Sequence, residues 1–193
     1  MARKKPKTVN YRRKRELKTD YKKRLKLLYS NKLKLVVRLY NRKISTQIVE
    51  FHPKGDKIKA AADSYSLKDL GWNYSCKNTP AAYLTGLLIA KQALKNGCRE
   101  VILDTGFATV LKGSKIFAFL KGAIYGDLSI PHGDKKNIFP SNERVSGKHI
   151  KDYFASMKNH ESGQTFTKYL KNNLAPDKID LKFNEVKQKI MSK

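Results

Sequence analysis

Acidic side chains are scarce in this sequence. Its 193 residues include 16 Asp and Glu against 42 Lys and Arg, so the formal net charge is +26 at pH 7 and the pI is about 10.1. A compact domain with so large an excess repels itself, and its natural counterion is a polyanion. The charge therefore indicates a class of partner and carries no information about the fold.

Cysteine and long apolar runs are also rare. The two cysteines, Cys76 and Cys98, are too few and too far apart for a disulfide framework, which fits a reducing cytoplasm. No stretch approaches the ~18 uninterrupted apolar residues of a membrane span. The basic N-terminal residues precede no apolar segment of the kind found in signal peptides. We therefore expect a cytoplasmic protein with no membrane partner.

The motifs that hold common cofactors are missing. Neither Gly-x-x-x-x-Gly-Lys-Ser/Thr nor Gly-x-Gly-x-x-Gly occurs, so no nucleotide-phosphate loop is predicted. The four histidines show no helical pairing with each other or with the cysteines, which argues against zinc. We expect neither a metal nor a cofactor.

Asp104 offers the strongest reason to consider an enzyme. With Thr105 and Gly106 it resembles the active-site turn of an aspartic protease, but that chemistry needs two carboxylates and the motif occurs once. A metal-dependent nuclease using Asp63, Asp69 and Asp104 would need clustered carboxylates, and their spacing does not provide them. The sequence predicts no enzyme, with a hydrolase at Asp104 as an alternative.

Two other residues have a functional and a structural interpretation. Trp72 follows a glycine and could stack on a base, but packing in the core is the favoured interpretation. His132 lies in a Pro-His-Gly turn, where a role beside backbone or phosphate is favoured over catalysis.

The positive charge is concentrated at the N-terminus. Residues 1–43 hold 18 Lys and Arg but only two acidic residues, Glu16 and Asp20. Residues 1–19 lack apolar periodicity, so we expect this arm to be extended and largely disordered in the free protein. Arginine forks, lysine charges and tyrosine faces together suit unpaired RNA. No recognition helix or zipper indicates DNA.

The rest of the chain predicts a mixed α/β fold. A helix should begin at Thr19 or Asp20, where a side chain can cap it. Alternation over 33–40 and 44–51, then 58–64, predicts an antiparallel meander, with a polar face open to solvent or RNA. Apolar residues 101–103 predict a short strand buried inside the sheet.

Helical segments surround these strands. Asn78 followed by Thr79-Pro80 predicts a helix that Asn96-Gly97 ends. Further helices should follow Gly113-Ser114 and Ser146-Gly147, and the residues beyond Thr165 alternate short helical patterns with loops. We predict an arm at 1–19, a globular α/β domain at 20–160 and a basic helical extension at 161–193.

Several collinear motifs resemble one family of large-subunit ribosomal proteins. It binds 5S rRNA and is numbered eighteen in the bacterial scheme and five in the eukaryotic scheme. The similarity is closest to archaeal versions. The matching segments are 11–16 (YRRKRE), 18–21 (KTDY), 24–28 (RLKLL), 35–38 (LVVR), 53–56 (PKGD), 71–72 (GW), 81–88 (AAYLTGLL), 121–123 (KGA) and 130–132 (IPH).

The resemblance implies a structural role without enzymatic activity. It implies binding of 5S rRNA in the central protuberance, contact with 23S rRNA, and neighbours that include the ribosomal protein numbered five in the bacterial scheme. No homo-oligomer is expected, and a non-ribosomal RNA-binding module such as an assembly factor stays open. The implied RNA-binding residues are Arg3, Lys4, Lys5, Lys7, Tyr11, Arg12, Arg13, Lys14, Arg15, Lys18, Thr19, Tyr21, Lys22, Arg24, Arg38, Arg42, Lys43 and Gln47.

Overall fold

A computed structural model describes residues 8–133, 138–157 and 166–192. The strands in these ranges are β1 (Leu33–Leu39), β2 (Ile44–Glu50), β3 (Lys57–Asp63) and β4 (Val101–Asp104). The helices are α1 (Arg12–Arg15), α2 (Tyr21–Leu28), α3 (Thr79–Lys95), α4 (Lys115–Tyr125), α5 (Asn142–Ser146), α6 (Lys148–Met157), α7 (Thr167–Lys171) and α8 (Ile179–Met191), the last preceded by a 3-10 turn at Pro176–Lys178.

The four strands form one mixed sheet in the order β3-β2-β1-β4. β1 pairs antiparallel with β2, and β2 with β3, so the predicted meander is confirmed. β4 pairs parallel with β1, because the connection between them passes through α3. The predicted α/β class with a mixed sheet flanked by helices is therefore confirmed.

The predicted position of β4 was wrong. This strand lies at the edge of the four-stranded sheet, and only Val101 is buried while its three successors are half-buried. Its first residue gains one further bond, from the Val101 amide to the Ser129 carbonyl at 3.1 Å. A run of three apolar residues cannot distinguish an inner strand from an edge strand that is covered by loops and helices.

The core lies between the sheet and α3. Leu35, Val37, Ile44 and Ile48 are buried on the face of the sheet that α3 covers, and residues 79–90 of α3 are buried on every side. A helix that is apolar all round needs cover from more than one direction. α4 and α8 supply it, since both pack on α3.

Helix caps follow the predictions closely. Asp20 Oδ1 accepts a hydrogen bond from the Lys23 amide at 3.1 Å and so begins α2. Asn78 Oδ1 accepts one from the Ala81 amide at 2.9 Å and begins α3, which ends at Asn96. These signals depend on neighbours in sequence, so a local pattern can identify them.

The C-terminal helix α8 belongs to the core. Ile179, Phe183, Val186 and Ile190 are buried on one face of it, and the Phe183 ring lies 5.5 Å from that of Tyr83 on α3. In the part of the chain described, no helix is long and apolar enough to cross a membrane.

Candidate nucleic-acid interface

The basic arm folds into a helical turn before α2. The Tyr11 carbonyl accepts hydrogen bonds from the amides of Lys14 at 2.9 Å and Arg15 at 3.1 Å. The Tyr11 ring also lies 5.5 Å from the Tyr21 ring of α2. The expectation of an extended arm was therefore wrong for the residues of α1. Local backbone hydrogen bonds and the contact between Tyr11 and Tyr21 order them, although the sequence has no apolar periodicity there.

Three hydrogen bonds to Arg13 fix how the arm enters α2. Arg13 Nε donates to Thr19 Oγ1 at 2.9 Å, and the Arg13 carbonyl accepts from the amides of Lys18 and Thr19. The chain therefore turns sharply between the two helices. Arg13 and Thr19, both predicted to bind RNA, are thus hydrogen-bonded to each other.

Cations on this arm outnumber the carboxylates beside them. Arg12, Arg13, Lys14, Arg15 and Lys18 are all exposed. Among the described residues Glu16 alone pairs with this set, at 3.6 Å from Arg12 and 2.8 Å from Lys18. The other cations of this set are exposed to solvent, where their N–H groups can donate hydrogen bonds to phosphate oxygens.

The predicted residues Arg3, Lys4, Lys5 and Lys7 lie outside the described residues. Tyr11 is 75% exposed and Tyr21 is 37% exposed, so both rings have a face open for stacking. Lys22, the residue after Tyr21, is also exposed on α2.

α2 covers the face of the sheet opposite α3. Between α1, α2 and the strands lies a cavity of about 330 Å³, which we call the sheet cavity. Its lining includes Arg13, Lys18, Thr19, Asp20, Lys23, Arg24, Lys34, Val36, Arg38, Gln47, Val49, Asp56, Asp104 and Gly106. The polar strand face predicted to be open is thus partly enclosed, because α2 folds back over it.

Lys34 shows how strongly this face is enclosed. Its residue is only 3% exposed, and its Nζ lies 3.4 Å from Asp56 Oδ2. Arg24 Nη2 donates to the other oxygen, Asp56 Oδ1, at 3.0 Å. Burial acts to raise the pKa of Asp56, but the hydrogen bond from Arg24 and the charge of Lys34 outweigh it and hold the pKa below its usual value of 3.8.

A second pair lies where β4 ends. Arg38 Nη1 donates to the Asp104 carbonyl at 2.8 Å, and its Nη2 is 3.2 Å from Asp104 Oδ2. Asp104 Oδ1 accepts from the Gly106 amide at 2.8 Å. Both carboxylate oxygens therefore have partners that orient Arg38 and shape the turn.

Lys23 connects α2 to the same turn. Its Nζ donates to Thr105 Oγ1 at 3.0 Å and to the Gly106 carbonyl at 3.2 Å. Neither Lys23 nor Lys34 is among the site residues that the sequence predicted. Strand alternation placed Lys34 on the polar face, but only the fold of α2 across that face could show that it is buried.

The remaining predicted residues separate into two places. Gln47 lines the sheet cavity with Arg38. Arg42 and Lys43 lie in the turn between β1 and β2 and do not line it; Arg42 is exposed, and Lys43 Nζ is 3.1 Å from Asp63 Oδ2. Among the described residues, the predicted set is therefore only partly in the lining of the sheet cavity.

Other candidates from the sequence have structural surroundings. Trp72 is fully buried and its Nε1 donates to the Ser75 carbonyl at 3.2 Å, so the packing interpretation is confirmed. His132 Nδ1 lies 2.8 Å from the Ile130 carbonyl. Within the described ranges, no group of three or more His, Cys, Asp or Glu is placed to hold a metal ion, and Cys76 and Cys98 are buried free thiols.

An arginine-rich arm joined to a mixed α/β body defines a basic, polyanion-binding protein. A family model for ribosomal large subunit proteins 60S L5 and 50S L18 matches residues 5–100. The chain is 41% identical to large ribosomal subunit protein uL18 of Methanothermobacter thermautotrophicus over 180 residues, 93% of each chain. It is 43% identical over 182 residues to the uL18 protein of Methanosphaera stadtmanae, covering 94% of this chain and 93% of the relative. The chain belongs to the uL18 family of large ribosomal subunit proteins, as the motifs in the sequence predicted.

Proposed function

We propose that this protein is a structural constituent of the large ribosomal subunit in the cytoplasm. In this role it binds 5S rRNA, helps to anchor it in the central protuberance and contacts 23S rRNA. Its neighbours include the large-subunit protein numbered five in the bacterial scheme, and it acts without catalysis and without forming a homo-oligomer. Membership of the uL18 family and the excess of exposed cations on the arm support this proposal.

The observation that carries the proposal is the contrast between the arm and the sheet cavity. Of the five exposed cations on the arm, Arg12 and Lys18 pair with Glu16, and among the described residues no ion pair joins the other three to a carboxylate. In the cavity, Arg24, Lys34 and Arg38 are each paired with Asp56 or Asp104. The arm is suited to phosphate contacts that release counterions, and the paired cations are suited to holding α2 and the arm in position.

We also propose a role for each part of the chain. We assign phosphate binding to residues 1–19, positioning to the body 20–160 and a supporting role to the extension 161–193. Arg38 is a positioning residue with one edge still accessible, since its side chain is 34% exposed.

Charge substitution in α1 tests the arm more cleanly than deletion, because deleting residues through Arg24 would also remove the partner of Asp56. The test variant changes Arg12, Arg13, Lys14 and Arg15 to Gln. A matched control changes four exposed or half-exposed lysines, Lys54, Lys57, Lys91 and Lys95, to Gln. Both variants lose the same formal charge.

The measurement is affinity for 5S rRNA as a function of salt. The slope of log affinity against log salt should fall by about 0.7–0.9 for each phosphate that is no longer neutralised. We expect the arm variant to lower this slope further than the control does, by the equivalent of at least two phosphates. Equal slopes for the two variants would refute the role of the arm.

Two further measurements address the alternatives. Stable co-sedimentation with mature large subunits distinguishes a ribosomal constituent from an assembly factor, which leaves before maturation. For a hydrolase, wild-type protein incubated with RNA or casein should give no cleavage. Cleavage that Asp104→Asn abolished would favour the enzyme instead.

A further inference from the structure

Two adjoining cavities lie beside the loop before α3, away from the residues that line the sheet cavity. They measure about 440 and 720 Å³ and share Ser75, Lys77, Phe166 and Tyr169 as lining residues. We call the pair the α7 groove, since α7 forms one wall. No Asp or Glu is found among its described lining residues, whereas Asp20, Asp56 and Asp104 line the sheet cavity.

One end of the groove concentrates positive charge. Lys77 and Lys115 both line it, and no ion pair joins either to a carboxylate within the described ranges. Burial and the charge of Lys77 lower the pKa of Lys115. Two cations that line the same cavity, with no carboxylate among its described lining residues, are stabilised when an anion binds.

A buried donor lies at the same end. Asn78 Oδ1 is held by the Ala81 amide, which fixes the orientation of the side-chain amide. Its Nδ2 is buried and has no hydrogen-bond partner. Buried donors normally have acceptors, so an anion between this amide and the two lysines would complete the arrangement.

The other end of the groove presents an aromatic ring among cations. Tyr65 is 38% exposed, with the ammonium groups of Lys43 and Lys68 at 5.4 and 5.1 Å from its ring centre. Arg42 also lines this end. Exposed aromatic rings beside Lys and Arg are the surfaces on which unpaired bases stack.

The walls between the two ends are held rigidly. The Tyr169 hydroxyl accepts from the Ser75 amide at 3.1 Å, and the Tyr74 hydroxyl donates to the Ala175 carbonyl at 2.7 Å. The Tyr74 and Tyr169 rings meet edge to face at 5.5 Å. The groove is therefore formed before a ligand arrives, and its cavities fall in the ~300–1,000 Å³ range of small-ligand sites, which suits a nucleotide.

We infer that the α7 groove binds an unpaired RNA segment, with a phosphate at Lys77, Lys115 and Asn78 and a base stacked on Tyr65. This inference rests on the proposed function for the source of the RNA, but it concerns a surface separate from the arm. An acidic peptide would satisfy the lysines but would not stack on the partly exposed ring of Tyr65, as a base can, which favours RNA.

The first test uses full-length protein and a single-stranded oligouridylate decamer, followed by fluorescence anisotropy. The test variant is Lys77→Gln with Lys115→Gln, and the control is Lys91→Gln with Lys95→Gln on α3. We expect the test variant to bind about tenfold more weakly than the control, with a salt slope lower by about 0.7 for each phosphate that is no longer neutralised. Equal affinities and slopes for the two would overturn the phosphate site. Lys77→Gln alone, a change at one half-buried side chain, provides the same comparison if the double variant fails to fold.

The second test isolates stacking with two substitutions at one position. Tyr65→Phe keeps the ring and should retain affinity for the decamer, while Tyr65→Ser should lose about fivefold to 150-fold. Equal binding by both variants would overturn the stacking role. A third outcome is that decaglutamate displaces the decamer and binds the Tyr65→Ser variant as tightly as it binds the wild type. That result would assign the groove to an acidic peptide and overturn the inference.

The two proposals fail in different experiments. If groove variants bind the decamer as the control does, while the α1 variant still loses its salt dependence on 5S rRNA, only the groove inference fails. If the groove variants lose the decamer and the α1 variant binds 5S rRNA as its control does, the proposed role of the arm fails instead.

Discussion

At the scale of single residues, the sheet cavity depends on one carboxylate. Asp56 is the partner of both Arg24 and Lys34, and the Lys34 side chain is only 4% exposed. Removing one partner of a buried ion pair costs much more stability than replacing the whole pair with apolar side chains. Asp56, the last residue of the Pro-Lys-Gly-Asp segment at 53–56, therefore links α2 to the sheet through Arg24 and Lys34.

Asp56→Asn should lower the free energy of unfolding by about 3 kcal/mol, because it leaves the Lys34 ammonium buried and unpaired. Lys34→Met is the matched control: it removes the buried charge, and Asp56 keeps Arg24. We expect Lys34→Met to cost distinctly less in urea denaturation at pH 7. A larger loss of unfolding free energy for Lys34→Met than for Asp56→Asn would show that losing Asp56 is not what destabilises this pair.

The same carboxylate should make unfolding depend on pH. The pKa of Asp56 is lower in the folded protein than its usual value of 3.8, so its contribution to stability is complete above about pH 4 and is lost as the pH falls through the folded pKa. Urea denaturation from pH 7 to pH 2 should therefore show a smaller acid-induced loss for Asp56→Asn than for wild type. Asp63 titrates in the same direction in both proteins and does not affect the difference.

At the scale of elements, features that depend on neighbouring residues could be predicted from the sequence, and features that depend on distant residues could not. The caps at Asp20 and Asn78 could be read from the sequence because each bond spans three residues. The burial of Lys34 could not, because it depends on how α2 folds across the sheet. The extension was predicted to be helical, and the apolar positions of α8 at 179, 183, 186 and 190 follow helical spacing, so the sequence also contains a signal for the buried face of this helix that the prediction did not use.

α3 and α4 approach each other through a reciprocal pair of glycines. A Cβ on Gly86 would lie 2.1 Å from the Phe119 carbonyl oxygen, and one on Gly122 would lie 2.1 Å from that of Tyr83. Either Gly→Ala change forces the helix backbones apart, so we expect a loss of about 3 kcal/mol, at the upper end of overpacking costs. Thermal unfolding measures it.

Gly133→Ala is the control for this pair, since an added Cβ would meet its nearest neighbour, Ile138 Cδ1, only at 4.0 Å. It should leave the midpoint of unfolding unchanged. A Gly86→Ala protein as stable as Gly133→Ala would show that α3 and α4 can separate without cost.

The packing of α8 leads to another comparison along one helix. Phe183 is 5% exposed and contacts Tyr83, whereas Leu181, two residues earlier, is 67% exposed. Phe183→Ala should cost about 3–5 kcal/mol, because it leaves a cavity beside α3, and Leu181→Ala should cost less than about 0.5 kcal/mol. Comparable costs, measured by urea denaturation, would mean that α8 does not share the core.

At the scale of the whole molecule, the fold and its charge oppose each other. A net charge of +26 on 22.1 kDa favours any state in which the positive groups lie farther apart. The sequence could predict this excess, and its concentration at the N-terminus, without any structure. It could not predict which cations the fold would neutralise with carboxylates and which it would leave exposed to solvent, because Asp56 and Asp104 meet their partners only in the folded chain.

Salt should therefore change thermal stability in opposite directions for the free protein and for its RNA complex. In the free protein, raising the salt from about 0.05 to about 0.5 M shortens the Debye length and screens self-repulsion, so the midpoint of unfolding should rise. Under the proposed function, 5S rRNA at roughly 100 times its dissociation constant stabilises the folded state by about 2.7 kcal/mol, and salt weakens that binding. Differential scanning fluorimetry of both samples across this range should give two curves that converge at high salt. Curves that stayed parallel would mean that the excess charge is not what holds this protein on RNA.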